Sequence, residues 1–263
     1  MEKMKKIWIG CITGFVICSM LIFSCSAEQE RYSWYCKHVK EHLQPCADSD
    51  LAFVEEFGGY YIDHRHTDPN ADDKVIYLTF DAGYENGNVA KILDVLKAED
   101  VPGAFFILSN LLKQEPALVI RMAEEGHTVC NHTASHRDMS RADDAALMAE
   151  LQKLETLYKE VTGRELAKYY RPPEGRFSRN NLIFTEKNGY KTVFWSFAYP
   201  DWDNGKQMSE ERAKSIILEN VHNGEVMLLH PTSATNAAIL QDVIRTLKSE
   251  GYRFGTLDEL TGA

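Results

Sequence analysis

Positive charge is in short supply: 29 Lys and Arg stand against 39 Asp and Glu in 263 residues, a formal net charge of -10. That deficit argues against nucleic acid as a partner, because binding phosphates takes a basic surface. Low-complexity segments and internal repeats are absent, so neither a disordered tract nor a repeat array is expected. With 44% hydrophobic and 26% charged residues the composition is that of an ordinary globular protein. The length fits one large domain or two small ones, and a single α/β barrel comfortably.

Long apolar runs are missing except for one, residues 7–23, which follows Lys3, Lys5 and Lys6. A basic start, an apolar stretch and small residues at Cys25 and Ala27 read as a targeting segment over 1–27. A cleaved signal peptide, a lipoprotein anchor (Ile22-Phe23-Ser24-Cys25 resembles a lipobox) and a retained membrane anchor all remain open. Each places the body of the protein outside the cytoplasm. Cysteine is sparse beyond that point. Cys36 and Cys46 lie close together in sequence, as a disulfide or two free thiols, and Cys130 reads as a small buried hydrophobe.

Residues 28–73 are polar and aromatic, ending in the turn-rich His66-Thr67-Asp68-Pro69-Asn70, and read as an extension packed on a main domain over 74–263. From Val75 onward strand patterns (75–81, 103–108, 127–132, 168–172, 191–197, 224–230, 252–256) alternate with helical ones (88–99, 115–125, 140–161, 179–188, 209–221, 236–249). Ser140 with Asp143 resembles a capping box, and Gly126, Gly189, Gly224 and Gly251 are placed as helix C-caps. Such alternation implies parallel pairing, in an open sheet or a closed barrel. Asp81, His132, Arg171, Asp201 and His230 fall at or just after the ends of five different strands. A barrel gathers those ends around one mouth, whereas an open sheet spreads them, so a barrel-like α/β fold of seven strands is expected.

The same residues suggest chemistry. Asp81 ends the strand Val75-Ile76-Tyr77-Leu78-Thr79 just before Gly83; taken alone it would be a cap or a turn-former. His132 and His136 are spaced i and i+4, which on a helical turn puts both imidazoles on one face, near enough to share a metal. Chance alone often produces that spacing. No Glu follows the first His, so this is not the H-E-x-x-H metalloprotease pattern. Arg171 runs into two prolines that stiffen it, placing it to pair with Asp81 rather than lie free on the surface. His230 closes the strand Val226-Met227-Leu228-Leu229; Asp201 could hold it protonated, although a core His and a turn Asp are the plainer readings of each alone. Trp195 and Trp202 offer flat faces for core packing or for a sugar.

Jointly these residues describe amide or ester hydrolysis. A metal on His132 and His136 would lower the pKa of a bound water toward about 7. Asp81 would take its proton, His230 would protonate the leaving amine, and a backbone N–H near Glu174 would help stabilise the oxyanion.

TFDAGYENG, NHTASH, RPPEG, DW and LLH, in that order, resemble the five motifs of the polysaccharide deacetylase family (NodB-homology domain, carbohydrate esterase family four) over about residues 74–260. The resemblance implies a distorted (β/α)7 barrel and metal-dependent de-N-acetylation of a glycan, with zinc the expected divalent ion. It implies Asp81 as base, His132 and His136 as metal ligands, Arg171 as brace of the base, and Asp201 tuning His230 as acid. Tyr84, Glu174, Trp202 and Leu228 are the expected substrate contacts. Two positions depart: Ala82 stands where the family carries a second Asp, and Ala198 where its D-x-x-D-W motif begins. GYENG, FWSFAYPDW and Ala82 together resemble the delta-lactam-biosynthetic branch, which deacetylates peptide-free N-acetylmuramic acid in spore-cortex peptidoglycan. The expected partner is therefore a peptidoglycan strand, met by a monomer. The alternatives are a deacetylase of N-acetylglucosamine or chitin-like glycans, and an impaired barrel that only binds glycan.

Overall fold

The computed structural model describes residues 30–263; the targeting segment expected over 1–27 lies outside the described residues. In chain order the strands are β1 (Arg31–Ser33), β2 (Gly59–Tyr60), β3 (Lys74–Ala82), β4 (Ala104–Ile107), β5 (Thr128–Asn131), β6 (Tyr169–Tyr170), β7 (Arg176–Ser178), β8 (Lys191–Val193), β9 (Phe197–Ala198), β10 (Glu225–Leu229) and β11 (Tyr252–Phe254). The helices are α1 (Val89–Glu99), α2 (Ser109–Gln114), α3 (Pro116–Glu124), α4 (Asp144–Thr162), α5 (Arg179–Lys187), α6 (Glu210–Asn220), α7 (Ala234–Ser249) and α8 (Leu257–Thr261). No helix among the described residues is long and apolar enough to cross a membrane.

Nine strands form one sheet in the order β2-β8-β6-β5-β4-β3-β10-β9, with β11 also on β3. Every pairing in it is parallel. The sheet curls into a distorted barrel, and the chain itself shows how nearly it closes. β8 sits one strand from one edge and β9 forms the other, yet only Phe194, Trp195 and Ser196 join them. Four peptide units reach at most roughly 14 Å, so the two edges must meet. Phe194 N donates to Tyr60 O at 2.7 Å and Ser196 N to Val226 O at 3.0 Å, and Ile62 bridges Glu225 across the same seam.

Alternation along the strands divides the apolar residues in two. Val75 and Tyr77, Ala104 and Phe106, Cys130, Tyr169, Val193 and Val226 fill the barrel interior. Ile76, Leu78, Phe80 and Ala82, with Phe105, Ile107, Val129, Met227 and Leu229, pack outward against residues of α1, α3, α4, α6 and α7. Continuing each inward row by two residues gives Asp81 after Thr79, His132 after Cys130, Arg171 after Tyr169, and His230 after Leu228.

Several expectations need correction. The strand expected over 191–197 is two strands interrupted at the seam, and the count is nine rather than seven, partly because β2 comes from the extension. The helix expected from Ser140 begins at Asp144. Asp143 is its cap, accepting from Ala146 N at 2.7 Å, while Ser140 lies in a short 3-10 turn capped by Asp138. Gly224 does not cap α6, which ends at Asn220 with Val221 as its cap. Its positive φ of 77° instead lets its backbone pass so close to Asp63 that a Cβ would lie 2.4 Å from Asp63 O. The extension is otherwise bound to the barrel by an aromatic cluster of Trp34, Phe53 and Tyr61 with Phe177 and Phe194.

Candidate active site

Beyond the C-terminal ends of the strands opens a cavity of about 760 Å³. Eight of the ten expected site residues line it: Asp81, Tyr84, His132, His136, Glu174, Trp202, Leu228 and His230. The other two, Arg171 and Asp201, are buried behind its wall. A second cavity of about 650 Å³ opens where β3 and β11 begin, lined by Lys74, Tyr252 and residues of the extension. It gathers none of the ten expected site residues.

Arg171 is wholly buried and donates four side-chain hydrogen bonds. Its Nη1 donates to Asp81 Oδ1 at 2.8 Å, Nη2 to Thr79 Oγ1 at 2.9 Å and Phe194 O at 3.0 Å, and Nε to Val193 O at 2.9 Å. Its guanidinium also lies 4.1 Å from the centre of the Phe106 ring. Burial alone would raise the Asp81 pKa. The surrounding His132, Arg171 and His230 outweigh it and hold the carboxyl below the usual carboxylate range, with Arg171 the permanent charge among them.

The second carboxylate works on a histidine. Asp201 Oδ1 accepts from His230 Nδ1 at 2.7 Å, and Oδ2 accepts from the His230 backbone N–H at 2.7 Å and from Asn236 Nδ2 at 2.6 Å. Asn236 Oδ1 in turn accepts from Tyr199 Oη. Burial opposes a charge on His230, yet Asp201 and then Asp81 raise its pKa above the ordinary 6.5. Asn236 and Thr79 are site residues that the sequence did not disclose. Asn236 sits inside α7 and in none of the quoted motifs; Thr79 opens TFDAGYENG, but inside β3 nothing in the pattern assigns its hydroxyl a partner.

His132 Nδ1 donates to Arg171 O at 2.8 Å. A carbonyl can only accept, so Nδ1 carries the proton and Nε2 presents its lone pair, 3.5 Å from Asp81 Oδ2. Burial pushes the His132 pKa down to about 4, leaving the ring neutral at neutral pH. His136 is exposed, with its ring 5.0 Å from that of His132. The expected helical turn is absent: Thr133 (φ 71°) and His136 (φ 58°) are left-handed, and the rings meet across a tight loop. Asn131 Oδ1 accepting from Thr133 N at 2.9 Å, and Thr133 Oγ1 accepting from His136 N at 3.0 Å, set that loop.

Two imidazoles, one in a fixed neutral tautomer, and a nearby carboxylate are the donor types a borderline divalent cation takes. Among the described residues no group of three or more His, Cys, Asp or Glu side chains is placed to hold a metal ion, so protein donors alone would supply no more than the two imidazoles and a neighbouring oxygen. Ala82 is fully buried in the outward-facing layer and offers no donor. The residues thus fit a cation held chiefly by the histidines.

The mouth is aromatic. Trp202 (60% exposed) and Tyr84 (42% exposed) stand at the rim, and Asn204 Nδ2 donates to Tyr84 Oη at 2.6 Å. Trp195, Gly175 and Ala198 complete the wall, and Glu174 holds a left-handed backbone with φ 55°.

A parallel barrel whose mouth sets an arginine-braced carboxylate near an aspartate-bound histidine is a hydrolase-type site, of the kind found in carbohydrate esterases. The comparisons agree: the polysaccharide deacetylase profile matches residues 68–193, and the chain belongs to that family. It is 37% identical over 253 residues to the peptidoglycan-N-acetylmuramic acid deacetylase PdaA of Bacillus subtilis, covering 93% of this chain and 94% of that one. The solved structure of B. subtilis PdaA, a family 4 carbohydrate esterase, superposes with a TM-score of 0.82, covering 89% of this chain and 97% of that one. A family 4 carbohydrate esterase from Bacillus anthracis gives 0.72 at 36% identity, with the same coverages of 89% and 97%. A peptidoglycan-N-acetylglucosamine deacetylase of Bacillus cereus is 32% identical over 189 residues, 70% of this chain and 67% of its own length.

Proposed function

We propose that the chain removes the acetyl group from N-acetylmuramic acid in peptidoglycan, outside the cytoplasm and as a monomer, the step that prepares muramic delta-lactam in spore cortex. The observation that carries the chemistry is the pair of carboxylate-held groups at one mouth: Asp81 on Arg171 and His230 on Asp201. The muramic preference draws support from the similarity to PdaA along nearly the whole chain.

Asp81, kept ionised, accepts the proton of the attacking water as its oxygen bonds to the acetyl carbon. The backbone N–H of Glu174 itself would face the developing oxyanion, since Pro173 has none and that of Gly175 donates to Pro172 O at 3.0 Å. His230 gives its Nε2 proton to the amine nitrogen as the C–N bond breaks, and acetate leaves. Trp202 and Tyr84 hold sugar faces at the rim, and Leu228 contacts the acetyl methyl. His132 and His136 would hold a divalent cation, zinc being the expected one, and when bound it would supply Lewis acidity toward the carbonyl.

Acetate release from defined muropeptides, located by mass spectrometry, tests the reading. Deacetylated muramic acid in peptide-free strands is expected; acetate lost only from glucosamine would replace the muramic assignment with the glucosamine one. Metal dependence has its own measurement. His136→Ala is expected to weaken binding of added zinc by at least roughly 10-fold in a chelator competition, since even groups that merely orient a ligand cost that much. Unchanged affinity would remove His136 from the site.

The pH profile follows from Asp201. His230 must be protonated to act as acid, and its raised pKa places the alkaline limb of kcat/KM above 6.5. Asp201→Asn removes the anion that raises that pKa, so the limb should move to lower pH. A limb that stays in place would show that another group sets it.

A further inference from the structure

The N-terminal extension holds two thiols that deacetylation does not use. Cys36 and Cys46 are both unbonded in the structure, the first half-buried and the second exposed. The segments that carry them are laced together: Tyr35 Oη donates to the Asp48 carboxylate, and Lys37 Nζ donates to it at 2.8 and 3.1 Å. Cys36 and Ala47 pack on the same aromatic cluster, and Ala47 N donates to Tyr61 Oη at 3.2 Å. Residues 35–37 and 46–48 therefore lie side by side. Burial pushes the Cys36 thiol up to about 12, and Cys46 is the next cause, so the two sulfurs sense each other. Cys130 is buried within the barrel.

From this juxtaposition we infer that Cys36 and Cys46 form a disulfide in an oxidising compartment, and that the bond braces one wall of the active-site cavity. The brace acts through Trp34, two residues from Cys36. Trp34 N donates to Gly175 O at 2.8 Å and its indole N–H to Trp195 O at 2.9 Å. Its Cβ is 3.2 Å from where a Cβ on Gly175 would stand. Gly175 and Trp195 both line the cavity.

The oxidant is a small-molecule disulfide. The exposed Cys46 thiolate attacks one of its sulfurs and displaces a thiolate, and the Cys36 thiolate then attacks the Cys46 sulfur of the mixed disulfide, releasing the second thiol. The protein loses two protons and two electrons, and the oxidant's S–S bond becomes two thiols. Because Cys36 is held protonated, ring closure should be the slower step and should quicken with rising pH.

The full chain, incubated with oxidised glutathione, alkylated and cut with trypsin without reduction, gives the answer. The expected product joins the peptide of residues 32–37 to that of residues 41–65, two hydrogens lighter than their sum. Reduction should lower Tm by roughly 5–10 °C, and Cys46→Ser should show the lower Tm with no further response to reductant. Reduction should also raise KM for the glycan more than it changes kcat, an arm that rests on the proposed function. Separate glutathione adducts on the two cysteines, or pairing with any other cysteine, overturn the inference whatever the substrate proves to be. A linked peptide whose reduction moves neither Tm nor KM overturns the brace.

Discussion

Asp81→Asn should lower kcat/KM for acetate release by about 10²–10⁴-fold, the range of a positioned general base. Asparagine keeps the shape and can still accept from Arg171 Nη1, but it cannot take a proton at neutral pH. The loss should therefore fall on kcat with little change in KM, because the sugar contacts proposed for Trp202 and Tyr84 would be untouched. The mutant also leaves a buried guanidinium without its counter-charge, so the assay belongs beside a thermal melt showing that the variant is folded. Equal rates for the two folded proteins would remove Asp81 as the base.

Arg171→Ala should be the most destabilising single change at the site. The side chain is fully buried and satisfies Asp81, Thr79, Val193 O and Phe194 O. Without it, a carboxylate and two seam carbonyls lose their donor inside the protein. Breaking a buried pair from one side costs about 3–5 kcal/mol. For a chain of this size that is a Tm fall of roughly 6–20 °C. The sign of the pH effect follows from Asp81, which Arg171 helps to hold below its ordinary pKa. That contribution is present at neutral pH and lost as pH falls through the depressed value, so the deficit should be largest near neutrality and shrink in acid. Arg171→Lys keeps a charge but not the fork, and should recover more stability than activity. A melt of Arg171→Ala within 2 °C of wild type would contradict the buried-anchor account.

Much of this was legible beforehand because two signals coincided. Strands such as β3 and β10 are short apolar runs, and the groups following them on the inward row are ionisable, which is rare enough to stand out. What could not be read was structure set by distant partners. The 191–197 run has the residues of one strand throughout, and its break at Phe194–Ser196 exists only because the sheet's other edge arrives there. The six residues of α2 are too few for a helical period, and β2 is two residues held by β8. Asp143 outcompeted Ser140 as a cap because Asp138, unread in the sequence, had already engaged Ser140 N at 2.9 Å. The spacing of His132 and His136 suggested proximity for the wrong reason, since a left-handed loop rather than a helix brings them together.

The seam has one more implication. Val193 and Phe194, whose carbonyls grip Arg171, stand where β8 runs into the short bridge that shuts the barrel. Loosening at this junction would free the guanidinium from both carbonyls, so hydrolytic competence and the last few degrees of thermal resistance should disappear together. A library screened only for heat tolerance should therefore leave residues 193–196 nearly unvaried, even though no side chain there is asked to move a proton.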